Sequence, residues 1–426
     1  MVFDTEKMCI RDRTGDAQIF CRTATYLMNT YTFYKKWLHD LEVDQTPEGG
    51  VPHVVPNIEE GRTDGNWLLR QGPHSAAAWA DAAIINPWTM YLMYGDKDIL
   101  KKQYNSMKGW IDFMRAHAVD YIWNYKLQFG DWVALDAEEG SYFGATPNDL
   151  TCTAYYAYST GLFVQMAKAL GKEDVAAEYE ELYHKIVKKF QETFFDAEGN
   201  MTAQTQTAHI VALYFQLTPE KYITKTVEGL KRLLDKENGH LVTGFVGTPY
   251  FCHALSQNHA LKEAYDLLLK EDFPSWLYQV KKGATTIWEH WDGMKDDGSM
   301  WSADMNSFNH YAYGAIGEWM YRAMAGIEAD PEHPGFKHAI LYPRIGEMCI
   351  RDRFTPVEFE IQGRRMMALE TEEYTIDRSE FDRNALYQPL KYHGMSRKHV
   401  RLIPYYAWDN RDYGEMRIWF PVAYTV

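Results

Sequence analysis

A succession of paired helical patterns is the feature that most constrains what this chain can fold into. Apolar side chains in residues 174–195 recur at steps of three and four, which places them along one face of a helix. Gly171 separates this segment from the helical pattern of residues 153–170, as expected where a helix ends in a turn. The two segments therefore predict an antiparallel helical hairpin. Further helical patterns cover residues 19–44, 82–94, 98–117, 203–216, 219–235, 248–256, 261–270 and 308–325.

The connections between these helix pairs are long in three places. Residues 46–78, 128–150 and 281–306 are rich in glycine, proline, tryptophan and acids. Long loops on a regular scaffold concentrate functional residues, so we expect a site there. After Gly326 the pattern changes, which predicts a β region behind the helical domain. Its strand-like stretches lie at residues 338–343, 400–406 and 415–422.

Composition excludes several classes of function. The 426 residues carry a net charge of −15, whereas nucleic acids and anionic membrane surfaces attract basic proteins. No apolar run reaches the roughly 18 residues of a membrane-spanning helix. Residues 1–7 contain no apolar signal-peptide core, and the compartment stays open. Cys21, Cys152 and Cys252 lack metal-ligand or redox spacing and are predicted to be buried free thiols.

Aromatic residues make up 15% of the chain. Their first use is in a large packed core. Tryptophan and tyrosine beside acids also suit a sugar site, because flat apolar sugar faces stack on the rings while carboxylates accept from hydroxyls. Composition alone leaves both interpretations open.

The densest group of aromatic and acidic residues is GATTIWEHWDG at residues 283–293. Glu289 lies between Trp288 and Trp291, whose rings would desolvate its carboxyl and raise its pKa toward neutrality, as a general base requires. The alternative, commoner for an isolated glutamate, is a residue that caps a helix or forms a salt bridge beside core tryptophans. Asp292 supplies a second acid three residues further on.

Four shorter motifs stand in the long loops or beside predicted helix starts. Asp16 in TGDAQ either binds a ligand or caps the helix that follows. Trp79 in AWADAA belongs to a site or to the core, and Trp132 follows Asp131 in a plausible turn. His310 in NSFNHYAYG would by itself usually be structural. Acids and tryptophans gathered at one end of helical hairpins suit a glycosidase, where one carboxyl protonates the leaving oxygen and another activates water or attacks the sugar.

Seven short motifs follow one another along the chain: TGDAQ, VPHVVP, WADAA, GDW, TGFVGTP, TIWE and NHY. In this order they resemble bacterial α-L-rhamnosidases of glycoside hydrolase family 78, over residues 14–346. The resemblance implies a mainly α fold, an (α/α)6 barrel of six helical hairpins over residues 14–330. A β-sandwich-like C-terminal region would begin at residues 331–347. The resemblance also implies inverting hydrolysis of terminal α-L-rhamnose without a metal or other cofactor.

The resemblance assigns roles to residues of this sequence. Glu289 resembles the family's general base, which activates the attacking water. Asp16 and His310 resemble ligands of rhamnose hydroxyls. Trp79 and Trp132 resemble indoles that wall the sugar pocket. Weaker candidates for substrate binding are Asp131 and Asp292.

The segment before Asp16 departs from the family pattern. The family's general acid is a glutamate seven residues before this aspartate, and here that position is Cys9. The barrel helix that precedes the motif in the family is also missing, which predicts a barrel truncated at its N-terminus. Because general acid catalysis contributes roughly 10²–10⁴ in rate, we expect the chain to be impaired on unactivated rhamnosides.

The hexapeptide MCIRDR occurs twice, at residues 8–13 and 348–353, with unrelated flanks. Structural repeats extend over about 20–50 residues, so we interpret the string as translated sequencing-adapter DNA that marks two joins. With two joins, residues 1–13 would be foreign. A short duplicated linker is the alternative interpretation of the hexapeptide. In the tail, residues 354–426, LIPYYAWDNR and GEMRIW resemble the end of the C-terminal β-domain of family 127 β-L-arabinofuranosidases.

The sequence thus predicts a rhamnosidase barrel joined to a β tail from a different glycosidase. A catalytically dead rhamnose-binding protein and an (α/α)6 glycosidase of other sugar specificity are the alternatives. The expected partner is a rhamnosylated glycoside or polysaccharide, with no nucleic acid and no membrane, and the oligomeric state stays open. Convergence of the predicted site residues on one cavity would support the assignment.

Overall fold

The structure is a computed structural model. It describes residues 12–57, 72, 74–302 and 305–344, together with the backbone of four further strands given below. Cys9 and the second hexapeptide lie outside the described residues. The chain divides into two compact units, one formed by residues 1–321 with 334–336 and the other by residues 322–333 with 337–426.

Helices dominate the first unit. Those of the described residues are α1 (Thr14–Leu27), α2 (Tyr31–Asp44), α3 (Ala82–Tyr94), α4 (Lys97–His117), α5 (Asn148–Ala169), α6 (Glu173–Phe194), α7 (Gln206–Tyr214), α8 (Ile223–Lys236), α9 (Thr248–Gln257), α10 (Leu261–Leu268), α11 (Trp276–Lys281) and α12 (Ile316–Trp319).

Six of these helices form a closed inner ring. α1 packs against α3, α3 against α5 and α5 against α7. The ring continues through α9 to α12, which packs back against α1. Outside it, α4, α6, α8 and α10 each pack against the inner helix that precedes them in sequence. This arrangement confirms the predicted (α/α)6 barrel.

The burial of each helix follows from its place in the two layers. In α3 every residue from Ala82 to Met93 is buried, because an inner helix meets neighbours on all sides. The outer helix α6 buries a single stripe, as its sequence period predicts. The stripe consists of Ala176, Tyr179, Leu182, Ile186, Phe190 and Phe194. The predicted hairpin of residues 153–195 is therefore confirmed as α5 and α6.

Three helical segments differ from the sequence predictions. Residues 19–44 form two helices, because the backbone of Met28 is extended and Asn29 Oδ1 accepts from the N–H of Tyr31 at 3.2 Å. Such a local side-chain bond competes with continuation of a helix. Residues 308–325 contain α12 between a 3₁₀ turn and a π-helical turn rather than one long helix. α11 was not predicted, since its six residues are too short for a clear period.

A two-residue strand anchors the start of α1. β1 (Asp12–Arg13) pairs antiparallel with β2 (Val54–Val55). The backbone N–H of Thr14 then donates to the carbonyl of His53 at 2.9 Å. Arg13 is the N-cap residue of α1, and no side chain caps this helix. Asp16 is therefore the third residue of α1 and not its N-cap.

The described residues of the second unit form three antiparallel strand pairs. β3 (Ile327–Ala329) pairs with β4 (Ala339–Leu341). Farther on, β5 (Phe354–Ile361) pairs with β6 (Arg364–Thr371), and β7 (His399–Ala407) with β8 (Met416–Tyr424). These pairs confirm that β structure follows the helical domain.

Two composition-based predictions can be compared with the structure. Cys21, Cys152 and Cys252 are buried free cysteines, as predicted. Among the described residues, no helix combines the length and the apolar character that crossing a membrane requires.

Candidate active site

The residues singled out in the sequence lie around one end of the inner ring. Asp16 is in the first turn of α1, and Trp79 stands just before α3. His310 precedes the 3₁₀ turn that leads into α12. The N–H groups at the start of a helix carry partial positive charge, which favours carboxylates there. This end of the ring therefore suits a site built from acids.

Asp16, Glu289 and His310 converge. His310 Nε2 lies 3.6 Å from Asp16 Oδ2 and 3.7 Å from Glu289 Oε1. The three side chains are only 1–5% exposed. The N–H of Ala312 lies 3.4 Å from His310 Nδ1, so the opposite nitrogen of the ring faces the acids. Two carboxylates thus flank one imidazole.

A cation from the first hexapeptide enters the same site. Arg13 Nε donates to Asp16 Oδ2, and Arg13 Nη2 contacts His310 Nε2. Arg13 Nη1 lies 3.9 Å from Glu289 Oε1. Burial raises the pKa of the Asp16 carboxyl, and the charge of Arg13 opposes that rise. Because residues 1–13 were interpreted as foreign, the sequence did not predict Arg13 in the site.

Two adjacent loop segments hold Glu289 and His310. The N–H of Glu289 donates to the carbonyl of Ser307 at 2.8 Å, and the N–H of Ser307 donates to Glu289 Oε2 at 3.2 Å. The N–H of His310 donates to the carbonyl of Ile287 at 2.7 Å. These bonds pair the segment of TIWE with the segment of NHY and bring Glu289 and His310 side by side.

Aromatic rings extend from the acids. The Trp79 indole lies directly against Gly15, where a Cβ atom would come within 2.6 Å of its ring. Phe129 bridges Trp79 and Trp132, with ring centroids 4.6 and 5.6 Å away. The Trp132 ring stacks on Tyr142 at 5.2 Å. Trp79 therefore borders Asp16, while Trp132 lies farther along the aromatic series.

Asp131 organises a neighbouring loop. Its Oδ1 accepts from the N–H groups of Val246 and Gly247 at 2.8 and 3.0 Å. Its Oδ2 accepts from the N–H of Gly244 at 2.9 Å and from the Thr207 hydroxyl. A carboxylate offers about four acceptor positions, so the chain itself occupies all of them. Asp131 thereby holds the TGFVG segment, and its assignment as a substrate ligand stays a prediction.

Asp81, the residue directly before α3, joins three parts of the chain. Its carboxylate accepts from Trp110 Nε1 at 3.1 Å, from the Ser159 hydroxyl at 2.6 Å and from the N–H of Ala78 at 2.8 Å. The residue is fully buried. It fixes the backbone just before α3, which carries Trp79.

Asp292 and Tyr313 leave polar atoms unsatisfied near the acids. Asp292 Oδ1 and the Tyr313 hydroxyl are buried and have no hydrogen-bond partner among the described residues. Burial raises the pKa values of both groups, and the charges of Glu289 and Asp292 add to the rise at Tyr313. Sequence reasoning missed Tyr313, which lies three residues after His310 in the motif NSFNHYAYG. Asp292 stays a predicted substrate ligand.

The closed inner ring of helices, its outer layer and the acids at its end define a domain of the six-hairpin glycosidase class. A sequence profile of the bacterial alpha-L-rhamnosidase six-hairpin glycosidase domain matches residues 12–324, and the chain belongs to this family. A second profile, of the glycoside hydrolase family 127 C-terminal domain, matches residues 295–421. That match begins well before the last seventy residues to which the sequence resemblance was assigned.

Characterised relatives agree with this family. The chain is 37% identical to an alpha-L-rhamnosidase of Streptomyces avermitilis over 78% of its length, and 36% identical to one of Formosa agariphila over 78%. These alignments cover 30% and 34% of the two relatives, so the chain spans about a third of their length.

Solved structures give the same result. The Streptomyces avermitilis enzyme complexed with L-rhamnose superposes with a TM-score of 0.72 and 34% identity, covering 84% of this chain and 32% of that one. The alpha-L-rhamnosidase of Aspergillus terreus gives a TM-score of 0.69 and 33% identity, covering 75% of this chain and 36% of the other.

Proposed function

We propose that this chain carries the catalytic barrel of an α-L-rhamnosidase, which removes terminal α-L-rhamnose from glycosides or polysaccharides. The observation that carries the proposal is the convergence of Asp16, Glu289 and His310 at the N-terminal ends of the inner helices. Two carboxylates and an imidazole can accept from and donate to several hydroxyl groups of one sugar ring. Trp79 offers the apolar face beside them.

The proposed reaction is hydrolysis with inversion. Glu289 takes a proton from water, whose oxygen attacks the anomeric carbon on the face opposite the leaving group. The bond from that carbon to the glycosidic oxygen breaks, and the leaving oxygen must receive a proton. Asp16 and His310 orient the ring through its hydroxyls. The position predicted for the proton donor, Cys9, lies outside the described residues.

We propose in addition that turnover is impaired in this chain. A thiol at Cys9 is a far weaker proton donor to a leaving oxygen than a carboxylic acid, since its ordinary pKa is about 8.5. Arg13 adds a second obstacle, because its guanidinium contacts the three groups that would bind the sugar. Substrate entry requires that this contact is broken.

Hydrolysis of two rhamnosides tests both proposals. 4-Nitrophenyl α-L-rhamnoside has a leaving group that needs little protonation, whereas an alkyl rhamnoside needs a proton donor. We expect slow turnover of the first, almost none of the second, and loss of both in Glu289→Gln. Absence of turnover on the activated substrate would contradict the rhamnosidase proposal, and ordinary rates on the alkyl substrate would contradict the impairment.

A gain-of-function variant tests the position of the missing donor. Cys9→Glu should raise the rate on the alkyl rhamnoside by roughly 10²–10⁴ while changing the nitrophenyl rate little. Cys9→Gln, which has the same length but no acidic proton, is the matched control. Equal rates for the two variants would contradict the assignment of Cys9 to the donor position.

A rhamnose-binding protein without catalysis is the second candidate, favoured by the cysteine at residue 9, where the resemblance places the proton donor. Calorimetry with L-rhamnose beside the hydrolysis assay separates the two. Binding that is lost in Asp16→Asn, together with no turnover of either substrate, would support this candidate.

We also propose that the chain joins pieces of two glycosidases. Support comes from the two family profiles and from the identical hexapeptide at residues 8–13 and 348–353. Sequencing the source gene from fresh DNA tests the proposal. A continuous native reading frame through both hexapeptides would overturn it.

A further inference from the structure

Three metal-ligating side chains meet in the second unit, at the end of a strand pair. Asp330 follows β3 directly and His338 precedes β4 directly. The register pairs Ala329 with Ala339, so Asp330 and His338 are the next facing pair. The N–H of His333 donates to the carbonyl of Asp330 at 3.0 Å, and this turn brings a third side chain back to the strand ends.

The side-chain geometry is compact. Asp330 Oδ2 lies 2.8 Å from His333 Nδ1 and 2.7 Å from His338 Nδ1. The three ligand atoms all lie within 4.8 Å of one another. The side chain of Asp330 is only 12% exposed, whereas those of His333 and His338 are 57% and 37% exposed. A nearly buried carboxylate therefore holds two imidazoles that solvent can reach.

We propose that Asp330, His333 and His338 form a binding site for a transition-metal dication of the zinc type. Two imidazoles and one carboxylate are a ligand set that suits zinc, cobalt or nickel, whereas calcium and magnesium prefer oxygen alone. Three protein ligands leave at least one coordination position for water.

The distances allow a metal with little rearrangement. Ligand bonds of about 2.1 Å place neighbouring ligand atoms about 3.0–3.4 Å apart. Each imidazole therefore has to move away from Asp330 Oδ2 by a few tenths of an ångström, and the two Nδ1 atoms, which lie within 4.8 Å of each other, have to reach the same range. Both rings can do so, because both are partly exposed. Coordination uses the Nδ1 lone pair of each ring, and these are the nitrogen atoms that face Asp330 Oδ2.

The backbone already orients the carboxylate. The N–H of Glu332 donates to Asp330 Oδ1 at 2.9 Å, which directs Oδ2 toward the imidazoles. Hydrogen bonds of this kind fix the orientation of metal ligands in established sites. The metal would cross-link the two strand ends across the intervening residues 331–337.

Calorimetric titration of the full chain with ZnCl2, after removal of bound metals by EDTA, tests the site. We expect one equivalent to bind, and Asp330→Asn, His333→Gln and His338→Gln each to weaken binding at least about tenfold. His184→Gln, which removes an exposed histidine of α6, should bind as the unaltered chain does. Because His333 is more than half exposed, His333→Gln tests the site even where Asp330→Asn fails to fold.

Cobalt absorption identifies the ligands independently. Co2+ bound by imidazole and carboxylate lacks the near-ultraviolet charge-transfer band that thiolate ligands give. A thiolate band would place the metal at cysteines and overturn the assignment. No zinc binding, or unchanged affinity in both histidine variants, would overturn the proposal as well, and neither result bears on the rhamnosidase proposal.

Discussion

The replacement Asp131→Asn should destabilise the helical unit strongly, because four donors converge on this carboxylate. Oδ1 and Oδ2 each accept two hydrogen bonds, three of them from backbone N–H groups of the TGFVG loop. Asparagine keeps one oxygen and presents an NH2 group in place of the other. The two donors that met the replaced oxygen then face the NH2 group, which is itself a donor, and they lose their acceptor.

The magnitude follows from these two orphaned donors. A buried donor without a partner costs about 1–3 kcal/mol, which gives about 2–6 kcal/mol for the pair. Removing the buried charge relieves part of its desolvation, an effect that raises the pKa of Asp131 in the folded chain. We therefore expect the free energy of unfolding to fall by about 2–4 kcal/mol.

Urea unfolding at pH 7, followed by far-ultraviolet circular dichroism, measures this change. Asp136→Asn is the matched control in the same loop: Asp136 Oδ1 accepts a single N–H, from Ala145 at 3.0 Å, and an asparagine oxygen can still accept it. The control should lose less than about 1 kcal/mol. A loss that small for Asp131→Asn as well would refute the reasoning. We also expect Asp131→Asn to lower rhamnoside hydrolysis, since Phe245 of the held loop packs 5.3 Å from the His310 ring.

Three further predictions concern the site and its surroundings. Gly15→Ala places a methyl group 2.6–2.7 Å from the Trp79 indole, so the midpoint of urea unfolding should fall by an amount corresponding to about 1–3 kcal/mol; an unchanged midpoint would show that Trp79 does not pack there. Arg13→Met removes the charge that lowers the pKa of Asp16, so carbon-13 titration of that carboxyl should give a higher pKa than in the unaltered chain, and an equal or lower value would count against the contact. Burial lowers the pKa of His53 to about 3. Between about pH 6.5 and 3 the unfolded chain binds a proton at His53 that the folded chain does not. The free energy of unfolding should therefore decrease as the pH is lowered through this window, by up to about 1.4 kcal/mol per pH unit. His53→Gln should show a smaller decrease in urea unfolding at several pH values, and an equal decrease would count against His53 as the cause.

Much of the helical unit was predictable because its information is local. The stripe of α6 follows a period that any window of the sequence shows, and the predicted bounds of α3 agree with the observed Ala82–Tyr94. The break at Met28 and the short turns around α12 were not predictable from periodicity. Asn29 and its hydrogen bond to Tyr31 decide the break, and such single polar contacts leave the hydrophobic pattern almost unchanged.

The sequence by itself determined the family, the helical class and the residue types of the site, since these lie in contiguous motifs and local periods. Only the tertiary structure decided which of those residues meet. Asp131 is tied to a loop more than 110 positions later in the chain, and Arg13 contacts His310 across 297 positions. These contacts form because α1 and α12 pack against each other when the inner ring closes. The apolar surface that is then removed from water favours this closure. The repetition of the hexapeptide is visible in the sequence, whereas the place of its Arg13 among the acids is visible only in the folded chain.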